Sequence, residues 1–130
     1  MDITAKNTNT AENNTTDQTG NFYVVATPIG NMSDITYRAI ETLKNCDLIA
    51  SEDTRETSKL LKHYSIDTSQ ISYTDQSHDR VYLKIINYLN SGKNVALVSD
   101  SGTPLISDPG FKLVRYLNEN NYNVIPIPGP

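Results

Sequence analysis

The chain is short of most features that would declare a function class outright. It has one cysteine, Cys46, in 130 residues. A lone cysteine makes no intrachain disulfide and no zinc cluster, so a reducing cytoplasm is the natural setting. It has no excess of positive charge. Eleven Lys and Arg stand against fifteen Asp and Glu, a formal net charge of -4. Nothing in that balance advertises a polyanion partner, which would need a local basic patch. No apolar run approaches the roughly 20 residues of a membrane span. The first residues show no positive segment leading into an apolar one, so no secretory signal is expected. The glycine turns carry neither the GxGxxG spacing of a dinucleotide fold nor the lysine of a phosphate-binding loop, which argues against NAD and against a nucleotide triphosphatase.

What is present is ordinary for one soluble domain: 37% hydrophobic and 20% charged residues. A chain of this length can bury a real core but not two. Residues 1–20, MDITAKNTNTAENNTTDQTG, form a polar Asn/Thr-rich tail without hydrophobic period. Such a segment cannot offset its ordering entropy and is expected to be disordered.

From Asn21 onward, strand-like and helix-like patterns alternate. FYVVAT, DLIAS, QISY, NVALV and NVIPI are short runs rich in apolar, β-branched or aromatic residues, and read as five strands. Between them lie four amphipathic segments. The first follows a cap at Ser33 or Asp34 and carries Ile35, Ala39, Ile40 and Leu43 on one side. The second follows Asp53 or Thr54 and turns apolar at Leu60 and Leu61. The third, His78 to Gly92, aligns Val81, Ile85 and Leu89, with Gly92 as its stop. The fourth follows a cap at Asp108 with Pro109 in its first turn, and turns Phe111, Val114 and Leu117 inward. Strands apolar throughout imply burial on both faces. The expectation is an α/β domain with a mostly parallel five-stranded sheet and helices on both faces.

Parallel sheets bind ligands beyond the carboxyl ends of their strands. Three strand-to-helix loops should meet there. TPIGN offers Thr27 and Asn31 as polar side chains, and Gly30 as a point of close backbone approach. SEDTRET places Glu52 and Asp53 at a helix start, where the dipole favours negative charge, and Arg55 in the first turn, where it does not. The Arg55 fork suits a carboxylate of the same loop or a phosphate oxygen. SDSGTPLISDPG supplies Asp100, able to accept from a ribose diol or an ammonium group. Gly102 allows close approach, Thr103 adds a hydroxyl, and Leu105 and Ile106 can plug the core or cover a flat ring.

These blocks stand in the order YVVATPIGNMSDITYRAIETL, LIASEDTRETSKLL, VALVSDSGTPLISDPGFKLV and VIPIPGP. Together they resemble the ribosomal RNA small subunit methyltransferase I family, of the tetrapyrrole-methylase-like group. The resemblance covers Phe22 to Pro130. It implies S-adenosylmethionine as methyl donor, with no metal, and 2′-O-methylation of a cytidine ribose in 16S ribosomal RNA. It also implies a homodimer of two-domain subunits with the donor in the interdomain cleft. Pro28, Gly30, Asp100, Ser101, Gly102, Thr103, Leu105 and Ile106 would contact the donor. Thr27, Asn31 and Arg55 would face the substrate, and Glu52, Asp53 and Arg55 the reacting groups. On this resemblance residues 21–127 are a first domain and 128–130 open a linker to a second, so the chain alone should transfer little or no methyl. There are two departures. Ser101 stands where the family usually has alanine, and YTDQS, Tyr73 to Ser77, stands where it tends to read YHEHN.

A ribose hydroxyl is a poor nucleophile at neutral pH, and a proton acceptor would help. Asp53, Glu52 and His78 qualify by type, as do water or a group in a second domain. Arg38, Lys44, Arg55, Lys59 and Lys62 gather in sequence around the first two helices, as solvated faces or as a phosphate-contacting patch. Two rivals stand beside this reading. A small-molecule tetrapyrrole methylase would carry a GxGxGD-like first loop and a GDP triplet, where this chain has TPIGN and SDSGTP. A non-enzymatic, receiver-like binding module would need a lysine after its last strand, where this chain has NVIPIPGP.

Overall fold

The computed structural model describes residues 19–28, 34–74, 76, 78–100 and 108–128. Five strands alternate with four helices. They are β1 (Asn21–Thr27), α1 (Tyr37–Asn45), β2 (Leu48–Ser51), α2 (Thr54–His63), β3 (Gln70–Ser72), α3 (His78–Asn90), β4 (Val95–Asp100), α4 (Asp108–Glu119) and β5 (Asn123–Ile127). The strands form one sheet in the order β3-β2-β4-β1-β5, and every pairing is parallel.

That order fixes the layers. The chain moves one way from β1 to β2 to β3, then reverses through β4 to β5. Right-handed crossovers place helices on opposite faces when the direction reverses. The core divides accordingly. Phe22, Leu48, Ala50, Val95 and Leu97 meet Val81, Ile85 and Leu89 of α3 and Leu113 and Leu117 of α4. Val25, Ile49, Ala96 and Ile127 meet Ala39 and Leu43 of α1 and Leu60 and Leu61 of α2. Along β4, Val95 and Leu97 belong to one layer and Ala96 to the other, the two-residue alternation of a strand covered on both sides. The apolar runs read from sequence therefore do bury both faces.

The amino edge of the sheet is stitched by side-chain amides. Asn21 N–H donates to Asn94 Oδ1 at 2.8 Å. Asn94 N–H donates to Asp47 Oδ2 at 2.8 Å, and Asn123 Nδ2 to Asn21 Oδ1 at 2.9 Å. Gly20, assigned above to the tail, belongs to this edge. It is buried, its N–H donates to the Leu89 carbonyl at 2.8 Å, and a Cβ there would collide with the Lys93 carbonyl. Residues 1–18 of the expected tail lie outside the described residues.

Two local expectations are corrected. The cap of α1 is Thr36, not Ser33 or Asp34. Thr36 is extended and its hydroxyl accepts from Ala39 N–H at 3.1 Å. Ile35 thus precedes the helix, yet it is buried in the same layer that takes Ile40, the arrangement of a hydrophobic staple. In α4 the inward stripe is Gly110, Leu113 and Leu117, with Val114 half-buried, whereas Phe111 is 58% exposed. Leu113 and Leu117 are a turn apart and set the buried side. Phe111, two residues before Leu113, is carried roughly 200° around the axis. Gly92 ends α3 as expected, with φ of 82°. No helix among the described residues is long and apolar enough to cross a membrane.

Candidate functional site

Because all five strands run parallel, every strand-to-helix loop leaves from one edge. The reversal of chain direction falls between β4 and β1, whose helices α4 and α1 depart to opposite faces. In an open parallel sheet this is where a crevice opens for ligands. Thr27 and Asp100 end their strands side by side, paired in register. Thr27 is buried, and its Oγ1 donates to the Ser99 carbonyl at 3.2 Å. The two strand ends are thus tied to each other, and half-buried Pro28 follows the end of β1. The loops that leave from these ends carry Gly30 and Asn31, and Ser101, Gly102, Thr103, Leu105 and Ile106. All seven lie outside the described residues.

On the other side of β4, strand β2 ends at buried Ser51. Ala50 is in register with Leu97 and Val24 with Leu97 as well, so Ser51 stands two residues below the tips of β1 and β4. Glu52, Asp53 and Arg55 follow, all exposed. Asp53 caps α2, accepting from Glu56 N–H at 3.1 Å. Among the described residues, no ion pair engages Arg55; Glu56 pairs instead with Lys59 at 3.2 Å. Arg55 is thus an exposed cation in the first turn of α2, where the helix dipole disfavours positive charge. The strand order brings the ends of β1, β2 and β4 together with β4 in the middle; of the three expected loops, only the one after β2 lies wholly within the described residues.

Sequence reasoning missed two arrangements at this edge. Gln70 of β3 bonds to two serines. Ser51 Oγ donates to Gln70 Oε1 at 2.7 Å, and Gln70 Nε2 donates to Ser58 Oγ at 2.9 Å. Ser51 and Ser58 bracket the segment carrying Glu52, Asp53 and Arg55, a spacing visible in SEDTRETS had a partner been known. The second is at Tyr73 and His78, which close the loop after β3. The Tyr73 hydroxyl and His78 Nδ1 are 2.7 Å apart. The His78 ring is stacked on Tyr73 and on Tyr82, with centroids 5.6 and 5.7 Å away. Burial, with a smaller push from the charge of Tyr82, raises the Tyr73 phenol well above its usual range. One ring nitrogen of His78 is committed to this contact, which leaves Nε2 as its other polar atom. Among the described residues no group of three or more His, Cys, Asp or Glu side chains is placed to hold a metal ion.

The family model described as Tetrapyrrole (Corrin/Porphyrin) Methylases matches residues 21–130. The chain is 56% identical over 110 residues to the ribosomal RNA small subunit methyltransferase I of Synechocystis sp., covering 85% of this chain and 39% of that protein. It is 51% identical over 110 residues to the protein of that name from Bacillus subtilis, covering 85% and 38%. The chain thus spans about two fifths of the length of the curated relatives it matches. Among solved structures, it is similar to a uroporphyrin-III-C-methyltransferase from Thermus thermophilus, with a TM-score of 0.64 at 18% identity, covering 85% of this chain and 47% of that one. It is likewise similar to a cobalt precorrin-4 methyltransferase, with a TM-score of 0.65 at 15% identity, covering 84% and 45%. These two likenesses concern the fold. With the family model spanning the whole sheet and all four helices, the chain belongs to the tetrapyrrole (corrin/porphyrin) methylase family.

Proposed function

We propose that this chain is the donor-binding part of an S-adenosylmethionine-dependent enzyme that methylates the 2′-hydroxyl of a cytidine ribose in 16S ribosomal RNA. The observation that carries the reading is the pairing of the β1 and β4 ends at the point where chain direction reverses, with the Glu52–Arg55 turn on the far side of β4, in a chain about half identical to enzymes named for ribosomal RNA methylation. Those relatives extend well beyond the matched part, so the reading includes a second domain after residues 128–130 and little turnover by residues 21–127 alone. It carries with it a cytoplasmic setting, the small ribosomal subunit as partner and a homodimer.

The residues fit the donor in kind. Two strand ends tied by the Thr27–Ser99 bond, each followed in sequence by a glycine-containing segment, suit a flat, polar-edged adenosyl group. Pro28, Gly30, Asp100, Ser101, Gly102, Thr103, Leu105 and Ile106 would hold it. S-adenosylmethionine, when bound, supplies a methyl group on a positively charged sulfur, already activated for transfer. The chain's own part is positioning, since well-oriented pairs reach effective molarities of about 10⁵ M or more. Asn31 and Arg55 would orient the RNA, with the Arg55 fork on a phosphate oxygen, while buried Thr27, its hydroxyl spent on the Ser99 carbonyl, fixes the strand end from which Asn31 follows. Glu52 stands exposed beyond Ser51 and, unlike Asp53, has no capping task; it is our choice to accept the ribose proton. Asp53 serves by fixing the turn.

The test is a chimera in which residues 21–130 replace the matched part of the Bacillus subtilis relative. Small ribosomal subunits lacking the modification would be incubated with labelled donor and either the chimera or this chain alone. The expected result is label in one cytidine ribose with the chimera and little with the chain. A chimera that is folded but gives no label, where the intact relative does, overturns the reading.

A further inference from the structure

We infer that Gln70 is a positioning residue that holds the Glu52–Arg55 turn in the orientation needed on the RNA side of the reaction. The functional half of this inference rests on the proposed function; the structural half does not. Gln70 and Ile49 are neighbours in register, as are Ser72 and Ser51, so the Gln70 and Ser51 side chains share the face covered by α1 and α2. From there one carboxamide reaches both ends of the turn. Its oxygen accepts from Ser51, the last residue of β2, and its nitrogen donates to Ser58, one turn into α2. Ser51 is 1% exposed, and a hydroxyl buried so deeply needs a partner. The turn between carries exposed Glu52, Asp53, Arg55 and Glu56, and its internal ties among the described residues both run to Asp53, from Glu56 N–H to its carboxylate and from Thr57 N–H to its carbonyl. Leu60 and Leu61 dock α2 on the core, but they lie farther along the helix. The pivot of its first turn, and with it the direction of Arg55, falls to Thr57 packing and to Gln70. A one-ångström error in a positioning group is enough to cost a large factor in rate.

The experiment compares Gln70→Met, which keeps length and removes both bonds, with Gln70→Glu, whose carboxylate can accept from both serine hydroxyls. The first readout is amide hydrogen exchange in this chain. The Gln70→Met variant should speed exchange at Glu56 and Thr57 about tenfold, the size expected from losing hydrogen bonds of this kind, while Ile85 and Leu89 stay as they were. The second readout is methyl transfer by the chimera. There Gln70→Met should raise KM for the small subunit and leave KM for the donor unchanged, and Gln70→Glu should recover both readouts. Should Gln70→Met not fold, Ser58→Ala removes one bond and should give a smaller change in the same direction. Unchanged exchange at Glu56 and Thr57, or equal acceleration throughout the chain, overturns the inference. So does local loosening with an unaltered KM for the small subunit. A parent chimera without activity is a different failure, that of the proposed function, and leaves the exchange readout standing.

Discussion

Asp53 separates a structural from a chemical role for the acidic pair. It is exposed at the start of α2 and accepts from Glu56 N–H at 3.1 Å, satisfying one of the amides that a helix start leaves unpaired. Replacing it with alanine removes that acceptor and should cost about 1 kcal/mol. Asparagine caps about as well as aspartate and forgoes only the attraction of a full charge to the helix dipole, a few tenths of a kcal/mol at an exposed site in salt. The two variants thus differ in stability although both remove the carboxylate. In urea, with a slope of about 1.5 kcal/mol/M, Asp53→Ala should lower the midpoint by about 0.7 M at unchanged slope, and Asp53→Asn by much less. Thermal unfolding should follow, with a loss of about 4 °C for alanine. In the chimera, Asp53→Asn should keep most of the methyl transfer, whereas Glu52→Gln should lower kcat. An alanine variant as stable as the parent, or an asparagine variant that falls as far as alanine, refutes the capping argument.

Leu43 and Ile85 are fully buried on opposite faces of the sheet. Each should cost about 2–5 kcal/mol as alanine, and the double variant should be additive to within about 0.5 kcal/mol, since no cavity is shared; urea unfolding reads all three. Gly20→Ala forces a Cβ onto the Lys93 carbonyl and should destabilise the chain by more than an ordinary surface change, again seen as a lower urea midpoint. Burial, helped by the neighbouring Asp47 carboxylate, pushes the Cys46 thiol up to about 12. A raised folded value means that the unfolded chain ionises first. Stability is therefore full below the ordinary thiol value near 9 and declines as pH rises from there toward 12, with Tyr73 acting in the same direction. Denaturation midpoints between pH 7 and 10.5 check the decline. Cys46 should also resist a thiol-specific disulfide reagent at pH 8 until urea exposes it.

Most of the architecture was legible in the sequence because the strands are buried on both faces and the helices on one. Val81, Ile85 and Leu89 sit at helical spacing and are all buried. Phe111 misled because size was read as burial. At the start of α4 the phase is set by Leu113 and Leu117, and a large aromatic two residues earlier points elsewhere. Thr36 was passed over for Ser33 and Asp34 because all three are good caps, and only backbone geometry chooses between them. Strand order was not legible at all. No local pattern distinguishes β4 beside β1 from β4 at an edge, since both positions demand the same apolar residues. Gln70 was invisible for a related reason. Its partners lie 12 and 19 residues away, and a polar residue on an edge strand is ordinarily solvated.

The order of the strands decides which blocks, far apart in sequence, become neighbours at the carboxyl edge. Were the sheet to follow the chain, β1 would lie beside β2, and the turn after Ser51 would adjoin Thr27 with the later block beyond both. Instead β4 enters between them. The Glu52–Arg55 turn then stands two strand spacings, about 10 Å, from the end of β1, with the end of β4 in the middle. On the proposed reading, this order leaves the β1–β4 gap and the Glu52–Arg55 turn as adjacent but separate places on one edge. The proposed reading therefore asks for cations that are few and local on an acidic domain. Among the described residues Arg55 has no ion-pair partner, and it follows the end of β2 on that edge.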